Sequence, residues 1–256
     1  MFYCGKYPII EKHTLAKGIY SCEIDAPELA DEAQPGQFAM IGAPGFTLRR
    51  PISICGIDRE RGTLRFVFEV RGNGTEAIAS LGEGESLDVI APLGNGFRIP
   101  EGKRIVVVGG GIGVPPLLGV SHVSRELCTA IIGFRDYTKI ILADEFEENG
   151  SETMLCTDDG SVGREGVVTA PLEEVLKKGE TAAVMACGPT PMLKAVVDMC
   201  GRYDVPCQIS LEQRMGCGVG ACVVCSCMTV RDGKEYYSRV CKDGPVFNAE
   251  EVKLDG

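Results

Sequence analysis

The sequence predicts a multidomain α+β chain: an N-terminal antiparallel β-barrel, a doubly wound α/β domain and a small cysteine-rich C-terminal segment. Three observations predict it. Short alternating stretches fill the first hundred residues, and helical and strand-like patterns alternate after that. Near the end, "GCGVGACVVCSC" (Gly216 to Cys227) crowds together four of the chain's 13 cysteines. At 256 residues the chain is long enough for two compact domains and an appendage. Boundaries are expected near 99 and 208, giving segments 1–99, 100–207 and 208–256.

Taken in order, "MFYCGKYPIIEKH" lacks the basic flank and apolar core of a signal peptide, and no stretch resembles a membrane span. A cytoplasmic chain with reduced thiols is expected. Strand-like pieces follow in "GIYSCEI", "GQFAMIG", "PISICGI" and "ESLDVIAPLG". The clearest is "TLRFVFEV" (Thr63 to Val70), which alternates between "RERG" and "RGNG". Short strands separated by Gly and Pro favour a small closed barrel. Near Pro100 the pattern changes. "RIVVVGG" (Arg104 to Gly110) is the continuous apolar run of a parallel strand buried on both faces. "PPLLGVSHVSREL" is helical in pattern, "TAIIGF" a strand, "KIILADEF" mixed and "APLEEVLKK" a helix. "TAAVMACGP" is a strand again, and "TPMLKAVVDMC" a helix. This order implies βαβ crossovers and a doubly wound sheet.

Charge narrows the partners. A net charge of −10 sets the surface against phosphate backbones and anionic lipid, so neither nucleic acid nor a membrane is expected. An odd cysteine count with uneven spacing fits a disulfide framework poorly. The two histidines, His13 and His122, show no ligand spacing, and "DEFEEN" reads as a solvated face.

Cys217, Cys222 and Cys225 follow C-x4-C-x2-C, the plant-type spacing for a [2Fe–2S] cluster whose fourth thiolate lies farther along. Zinc takes four thiolates too, but usually from two C-x2-C knuckles. Gly216, Gly218 and Gly220 permit the backbone conformations that aim N–H groups at sulfur. The fourth ligand is Cys227 or Cys241. Cys227 is only two positions past Cys225, whereas a hairpin turning at Asp232-Gly233 would swing Cys241 back over the cluster. Cys241 is therefore expected, with Cys227 as a buried neighbour. Apart from Cys187, the other cysteines read as small core hydrophobes.

"VVVGGGIGVPPLL" puts a glycine run between a buried strand and a helix, a natural place for pyrophosphate. It departs from G-x-G-x-x-G because Pro116 stands third, and a tight βα connection accounts for it equally well. "MACGPTPML" marks a second strand-to-helix junction, so Cys187, Gly188 and Pro189 should reach the carboxyl edge of the same sheet, where ligands of open α/β sheets bind. In "TLRRPISICGI", Arg50 could grip a phosphate and Ser53 a polar ring edge. In "GNGTEAI", Thr75 is a candidate N-cap of a helix whose free N–H groups form a second anion site.

R-P-I-S on a barrel, G-G-x-G-x-x-P in the next domain and C-G-P late in that domain resemble the ferredoxin–NADP reductase superfamily. The "LEQRMGCGVGACVVCSC" segment with "RVCKDGPVF" narrows the likeness to the electron-transfer subunits of type B, NAD-dependent dihydroorotate dehydrogenases, over essentially the whole chain. That resemblance implies FAD, a [2Fe–2S] cluster and NAD as co-substrate. It implies that Arg50, Pro51, Ile52 and Ser53 contact the flavin and its phosphates, and that Gly74 and Thr75 meet its pyrophosphate. Val67, Phe68 and Glu69 stand where the family often has a tyrosine–arginine pair on FAD, and here that stretch brings no cation. Gly110, Gly111 and Gly113 match the nicotinamide-dinucleotide turn, and Cys187, Gly188 and Pro189 the segment facing the nicotinamide, with Cys187 the candidate catalytic residue.

The resemblance also implies an oxidoreductase subunit of pyrimidine biosynthesis. It would relay electrons between NAD and an FMN-containing dihydroorotate dehydrogenase catalytic subunit, in a heterotetramer of two of each. The same cofactor set also serves hydrogenases, sulfide-type reductases and ferredoxin-linked transhydrogenases. A zinc-stabilised binding module is the non-enzymatic alternative.

Overall fold

The computed structural model describes residues 2–254. The first part contains β1 (Tyr3–Ala16), β2 (Ile19–Asp25), α1 (Pro27–Glu32), β3 (Phe38–Ile41), β4 (Arg50–Asp58), β5 (Thr63–Glu69), α2 (Asn73–Ala79) and β6 (Ser86–Leu93). Six antiparallel strands close a barrel in the order β1-β2-β5-β4-β3-β6. Alternation builds its interior: Ile24 of β2 and Leu64, Phe66 and Phe68 of β5 point into one core, which Leu29 and Ala30 of α1 plug. β1 pairs with β6 over its first half and with β2 over its second, bending at an irregularity between Ile9 and Glu11. That bend turns a sheet into a barrel.

The second part runs β7 (Ile105–Gly110), α3 (Pro115–Ser124), β8 (Cys128–Phe134), α4 (Ala143–Glu148), β9 (Glu152–Thr157), β10 (Arg164–Glu165), α5 (Thr169–Leu176), β11 (Ala183–Cys187), α6 (Thr190–Arg202) and β12 (Cys207–Ser210). The remainder supplies the hairpin β13 (Ser226–Arg231) and β14 (Lys234–Arg239), then β15 (Val246–Asn248). The sheet order is β10-β9-β8-β7-β11-β12-β15, parallel throughout except for β15. The strand sequence reverses direction between β7 and β11, so the turns after those two strands flank a topological switch point.

Every residue of β7 is buried, because both faces of the sheet are covered. On one face lie Val114, Leu117 and Val120 from the start and body of α3, together with barrel residues Ile19, Cys55 and Val67. On the other lie Leu172 and Val175 of α5 and Leu193 and Val196 of α6. The expected 207/208 division falls within β12, and β15 from the C-terminal part pairs with that strand through Ile209 and Phe247. No helix among the described residues is long and apolar enough to cross a membrane.

Arg65 fastens the barrel to the α/β domain. Its Nη2 donates to Glu145 Oε1 at 3.0 Å while its Nε donates to Ser21 Oγ at 2.7 Å. Burial works most strongly against the charge, but the hydrogen bond to Glu145 and the nearby Cys55, Glu145 and Glu23 charges together outweigh it, and the guanidinium is held above its ordinary pKa. An Arg65→Leu variant should lose about 2 kcal/mol in chemical denaturation, since it strands a half-buried carboxylate. Full retention of stability would show that the bridge is not holding the two parts together.

Candidate functional site

Two cavities open along the carboxyl edge of the α/β sheet. The first, about 260 Å³, lies against the barrel and is lined by Arg50, Pro51, Ile52 and Ser53 of β4 and by Val67, Phe68 and Glu69 of β5. Thr75, Cys187, Ser210, Glu212 and Met215 complete much of its wall. The second, about 440 Å³, is lined by Gly110, Gly111 and Gly113 after β7 and by Gly188 and Pro189 after β11. Glu69, Arg71, Ile112 and Glu212 line both, so the cavities meet.

Of the two adjacent arginines, Arg49 is committed elsewhere. Its Nη2 binds both carboxylate oxygens of Asp88 at 2.8 Å. Arg50 instead enters the first cavity, with its guanidinium 5.2 Å from the Phe46 ring centre and hydrogen-bonded to Leu48 O. Gly74 does not line that cavity; it packs on the Arg50 guanidinium, where any side chain would collide with it. Thr75 is not the N-cap expected of it. Gly72 holds that place, and the Thr75 hydroxyl accepts from Arg71 N at 2.9 Å and Gly72 N at 3.2 Å. The helix starts earlier than the sequence suggests, because Gly72 needs no side chain to cap when Thr75 reaches back.

The glycine turn is tight for a reason. A Cβ on Gly113 would sit 2.5 Å from Cys187 O, so the β7 and β11 turns touch backbone to backbone. Sequence reasoning missed the charges at the junction. Arg71 Nε meets Glu69 Oε2 at 2.9 Å, Arg71 Nη1 meets Glu212 Oε2 at 3.9 Å, and Lys139 Nζ meets Glu69 Oε1 at 3.8 Å. These groups come from separated stretches of chain.

Cys187 is buried in the wall of the first cavity, next in sequence to Gly188 of the second. Burial foremost, then the Glu212 carboxylate, push its thiol up to about 12, with a Ser210 hydrogen bond opposing. It is therefore a neutral thiol at physiological pH rather than a nucleophile. Glu212 and Ser210 are its polar neighbours.

The cysteine segment lies beyond Met215. Cys217 Sγ accepts from Ala221 N at 3.3 Å and Cys222 N at 3.4 Å, while Cys222 Sγ accepts from Cys217 N at 3.4 Å. The β13–β14 hairpin turns at Asp232 and Gly233, with φ of 52° and 72°, and returns Cys241 to Cys225. There Cys241 N donates to Cys225 Sγ at 3.4 Å. Cys225 and Cys241 are each 2% exposed, whereas Cys222 is exposed. Cys227 lies half-buried on β13 beside this group. The four thiols thus form two pairs, Cys217/Cys222 and Cys225/Cys241, with Cys217 near enough to act on the charge of Cys241.

Among the described residues no three Cys, His, Asp or Glu side chains converge as one metal ion demands. Two facing pairs suit a centre of two irons, each taking two thiolates, better than a tetrahedral zinc. Burial raises the Cys217 pKa, but backbone N–H groups of Cys222, Val219 and Ala221 and the Cys222 thiol bring it down to about 6. Such donors favour thiolate, the ligand form.

An apolar layer separates thiols from cavity. Phe38, Met40 and Leu93 of the barrel pack with Cys225, Val240, Cys241 and Phe247. Phe38 and Met215 touch both this layer and the first cavity. Gly218, at φ 73°, is pressed so close to Met40 that a side chain there would collide with it.

Of the other cysteines, Cys22, Cys55, Cys128, Cys156 and Cys200 are buried, but Cys4 is exposed and Cys207 half-buried, so neither is a core residue. β1 alternates at its start, which leaves Cys4 outward.

Comparison with known proteins places these features in a context. The family described as the iron-sulfur cluster binding domain of dihydroorotate dehydrogenase B matches residues 212–253. The electron transfer subunit of dihydroorotate dehydrogenase B (NAD(+)) from Caldanaerobacter subterraneus subsp. tengcongensis is 41% identical over 249 residues, covering 96% of this chain and 97% of that one. Its counterpart in Enterococcus faecalis is 41% identical over 256 residues, with 96% and 97% covered. Among solved structures, an NADH-dependent reduced ferredoxin-NADP oxidoreductase superposes with a TM-score of 0.86 at 31% identity, covering 98% of this chain and 90% of that one. A ferredoxin reductase of carbazole 1,9a-dioxygenase, 20% identical, shares the fold with a TM-score of 0.68 over 80% of this chain and 67% of its own.

The contrast between thiols is directly measurable. In cluster-free protein at pH 7, iodoacetamide should label Cys217 fastest, because a thiol near 6 is about nine-tenths ionised. Cys187 should label only on unfolding. Equal rates for the two would contradict these environments.

Proposed function

The chain belongs to the electron transfer subunits of dihydroorotate dehydrogenase B (NAD(+)), and from that premise we propose how its own residues serve the relay. The complete reaction converts dihydroorotate and NAD+ to orotate, NADH and a proton, within pyrimidine biosynthesis. An FMN-containing catalytic subunit holds dihydroorotate. This chain carries the electrons between that subunit and NAD. FAD and a [2Fe–2S] cluster, when bound, supply the exchange of electrons in pairs on the nicotinamide side and singly on the partner side.

Two paired sets of thiols beside a cavity-lining apolar layer carry this assignment. Cys217, Cys222, Cys225 and Cys241 would hold the cluster, with Cys227 outside the ligand set. Arg50 would meet the flavin's phosphates, and Gly74 gives its guanidinium room. Pro51, Ile52, Ser53, Val67, Phe68, Glu69 and Thr75 wall the same cavity. Gly110, Gly111, Gly113 and Gly188 bring bare backbone to the second cavity, with the Pro189 ring beside them, where a dinucleotide can lie close. Lys139 and Arg135 supply positive charge at its edge. Cys187, as a neutral thiol in the wall of the first cavity next to Gly188, packs against the nicotinamide end and moves no proton there.

Phe38 and Met215 exclude water between cavity and thiols, and they keep the two centres close without covalent contact. Val219, Val223 and Val224 stand exposed around the outer thiols, with Val223 60% and Val224 59% exposed. An apolar rim beside the exposed Cys222 suits a docked protein partner, and we assign the catalytic subunit to this face. A heterotetramer of two of each subunit, in the cytoplasm where these thiols stay reduced, fits the same assignment. The division into 1–99, 100–207 and 208–256 then corresponds to flavin, dinucleotide and cluster parts. The 31% likeness to the ferredoxin-NADP oxidoreductase favours a different partner as the second reading, but the 41% relatives outweigh it.

Reconstitution tests the assignment. The isolated chain should oxidise NADH with an artificial acceptor yet leave dihydroorotate untouched; adding the catalytic subunit should give dihydroorotate-dependent NAD+ reduction. Val223→Glu with Val224→Glu should lower that coupled rate at least about tenfold while sparing NADH oxidation by the dye. Robust dihydroorotate turnover by the isolated chain, or an unaffected coupled rate in the double variant, would overturn it.

A further inference from the structure

Two cysteines outside every site described above lie together. Cys200 sits in the last turn of α6, and Cys207 opens β12. The turn between them is closed by the backbone: Val205 N donates to Cys200 O at 3.0 Å and Asp204 N to Gly201 O at 3.4 Å, with Asp204 left-handed at φ 54°. This double bond pattern is a Schellman ending, and Pro206 then forbids the helix to continue. It folds the chain back so that Cys207 packs against the apolar cluster that contains Cys200. Both line a cavity of about 320 Å³, bordered by Asp204, Asn248 and Glu250.

We propose that Cys200 and Cys207 are a site of reversible disulfide modification, closed by a low-molecular-weight disulfide, that clamps the end of α6 to the start of β12. Two things favour this pair over the chain's other thiols. Both side chains line one cavity that a small reagent can enter, and the Cys207 thiol as a hydrogen-bonding neighbour lowers the Cys200 pKa against the effect of burial. The same contact foremost, then burial, raises Cys207, which makes it the proton donor of the pair. By contrast, burial pushes Cys55 and Cys187 up to about 12.

The chemistry balances. The Cys200 thiolate attacks one sulfur of a reagent RS–SR, forming Cys200–S–SR and releasing RS⁻. Cys207 then loses its proton and displaces the second RS⁻, closing the Cys200–Cys207 bond. The protein gives up two electrons and two protons, and the reagent leaves as two thiols RSH. The bond would tie together elements whose far ends frame the flavin and dinucleotide cavities. α6 starts directly after Gly188 and Pro189, and β12 ends at Ser210, just before Glu212.

The test uses the assembled holoprotein under anaerobic conditions with oxidised glutathione as the reagent. Free thiols are then blocked with N-ethylmaleimide, and non-reduced peptides are mapped by mass spectrometry. The expected product is a peptide pair joined through Cys200 and Cys207, lighter by two hydrogens and released by dithiothreitol. The thermal midpoint should rise by roughly 5 °C on oxidation. Cys207→Ser should abolish both changes and keep its iron. A lasting glutathione adduct on Cys207 with Cys200 free, or bridges formed only at other cysteines, would overturn the site. An unchanged midpoint with the bond formed would overturn the clamp. If Cys207→Ser fails to fold, the wild-type peptide map still decides.

Discussion

Arg239 joins the two stretches of chain that bear the thiols. Its Nε and Nη2 grip the Asp243 carboxylate at 3.1 and 3.2 Å, and its Nη1 donates to Gly220 O at 3.1 Å. Asp243 in turn accepts from Arg239 N at 2.8 Å and is held below its ordinary pKa by that arginine. One planar cation thus fixes the turn carrying Cys241 against the loop carrying Cys217 and Cys222. Without it the hairpin would still form and Cys241 would still meet Cys225, but the link from this turn to the Gly220 backbone would be lost. A charged fork at the surface contributes little to global stability. Its value on the proposed ligand set is positional, since four thiols would have to meet two irons within small tolerances.

The same need for close approach explains the glycines at the joints. Gly94, at φ 71°, would drive a Cβ to 2.5 Å from Gly244 O, and Asn95 N donates to that same oxygen at 2.6 Å. Gly218 meets Met40 in the same manner on the other side. The cluster segment is therefore pressed onto the barrel at two points, with Phe38, Leu93 and Phe247 filling the space between. β15 anchors it a third time, to the α/β sheet. A centre so fastened can sit near a flavin without being part of the flavin's own pocket, and it still leaves Val223 and Val224 open to a partner.

Much of this was legible in the residues themselves. β5 was readable because Leu64, Phe66 and Phe68 recur at every second position, and β7 because its unbroken apolar run ends at a glycine turn, as a strand covered on both faces requires. The C-x4-C-x2-C spacing and the Asp232-Gly233 turn together pointed to Cys241, since both are local signals with a geometric meaning. β1 was not readable. Only Tyr7 and Ile9 of its 14 residues are buried, and Pro8 interrupts the pattern, because the strand changes partner midway. α1 was hidden by its length of six residues, too short for a helical period to show. The ion chain of Glu69, Arg71, Lys139 and Glu212 is a product of tertiary assembly, and no spacing in sequence encodes it. β15 escaped for the same reason: an edge strand of three residues is defined by its neighbour rather than by its own composition.

The central claim is that Cys241, and not Cys227, completes a four-thiolate, two-iron centre. Iron and labile sulfide counted per chain after anaerobic purification, in Cys241→Ser beside Cys227→Ser, tests it most directly. The expected result is about two irons per chain, with the reduced-state paramagnetic signal, in the parent chain and in Cys227→Ser, and loss of both in Cys241→Ser. Full iron in Cys241→Ser, or its loss only in Cys227→Ser, would contradict the claim.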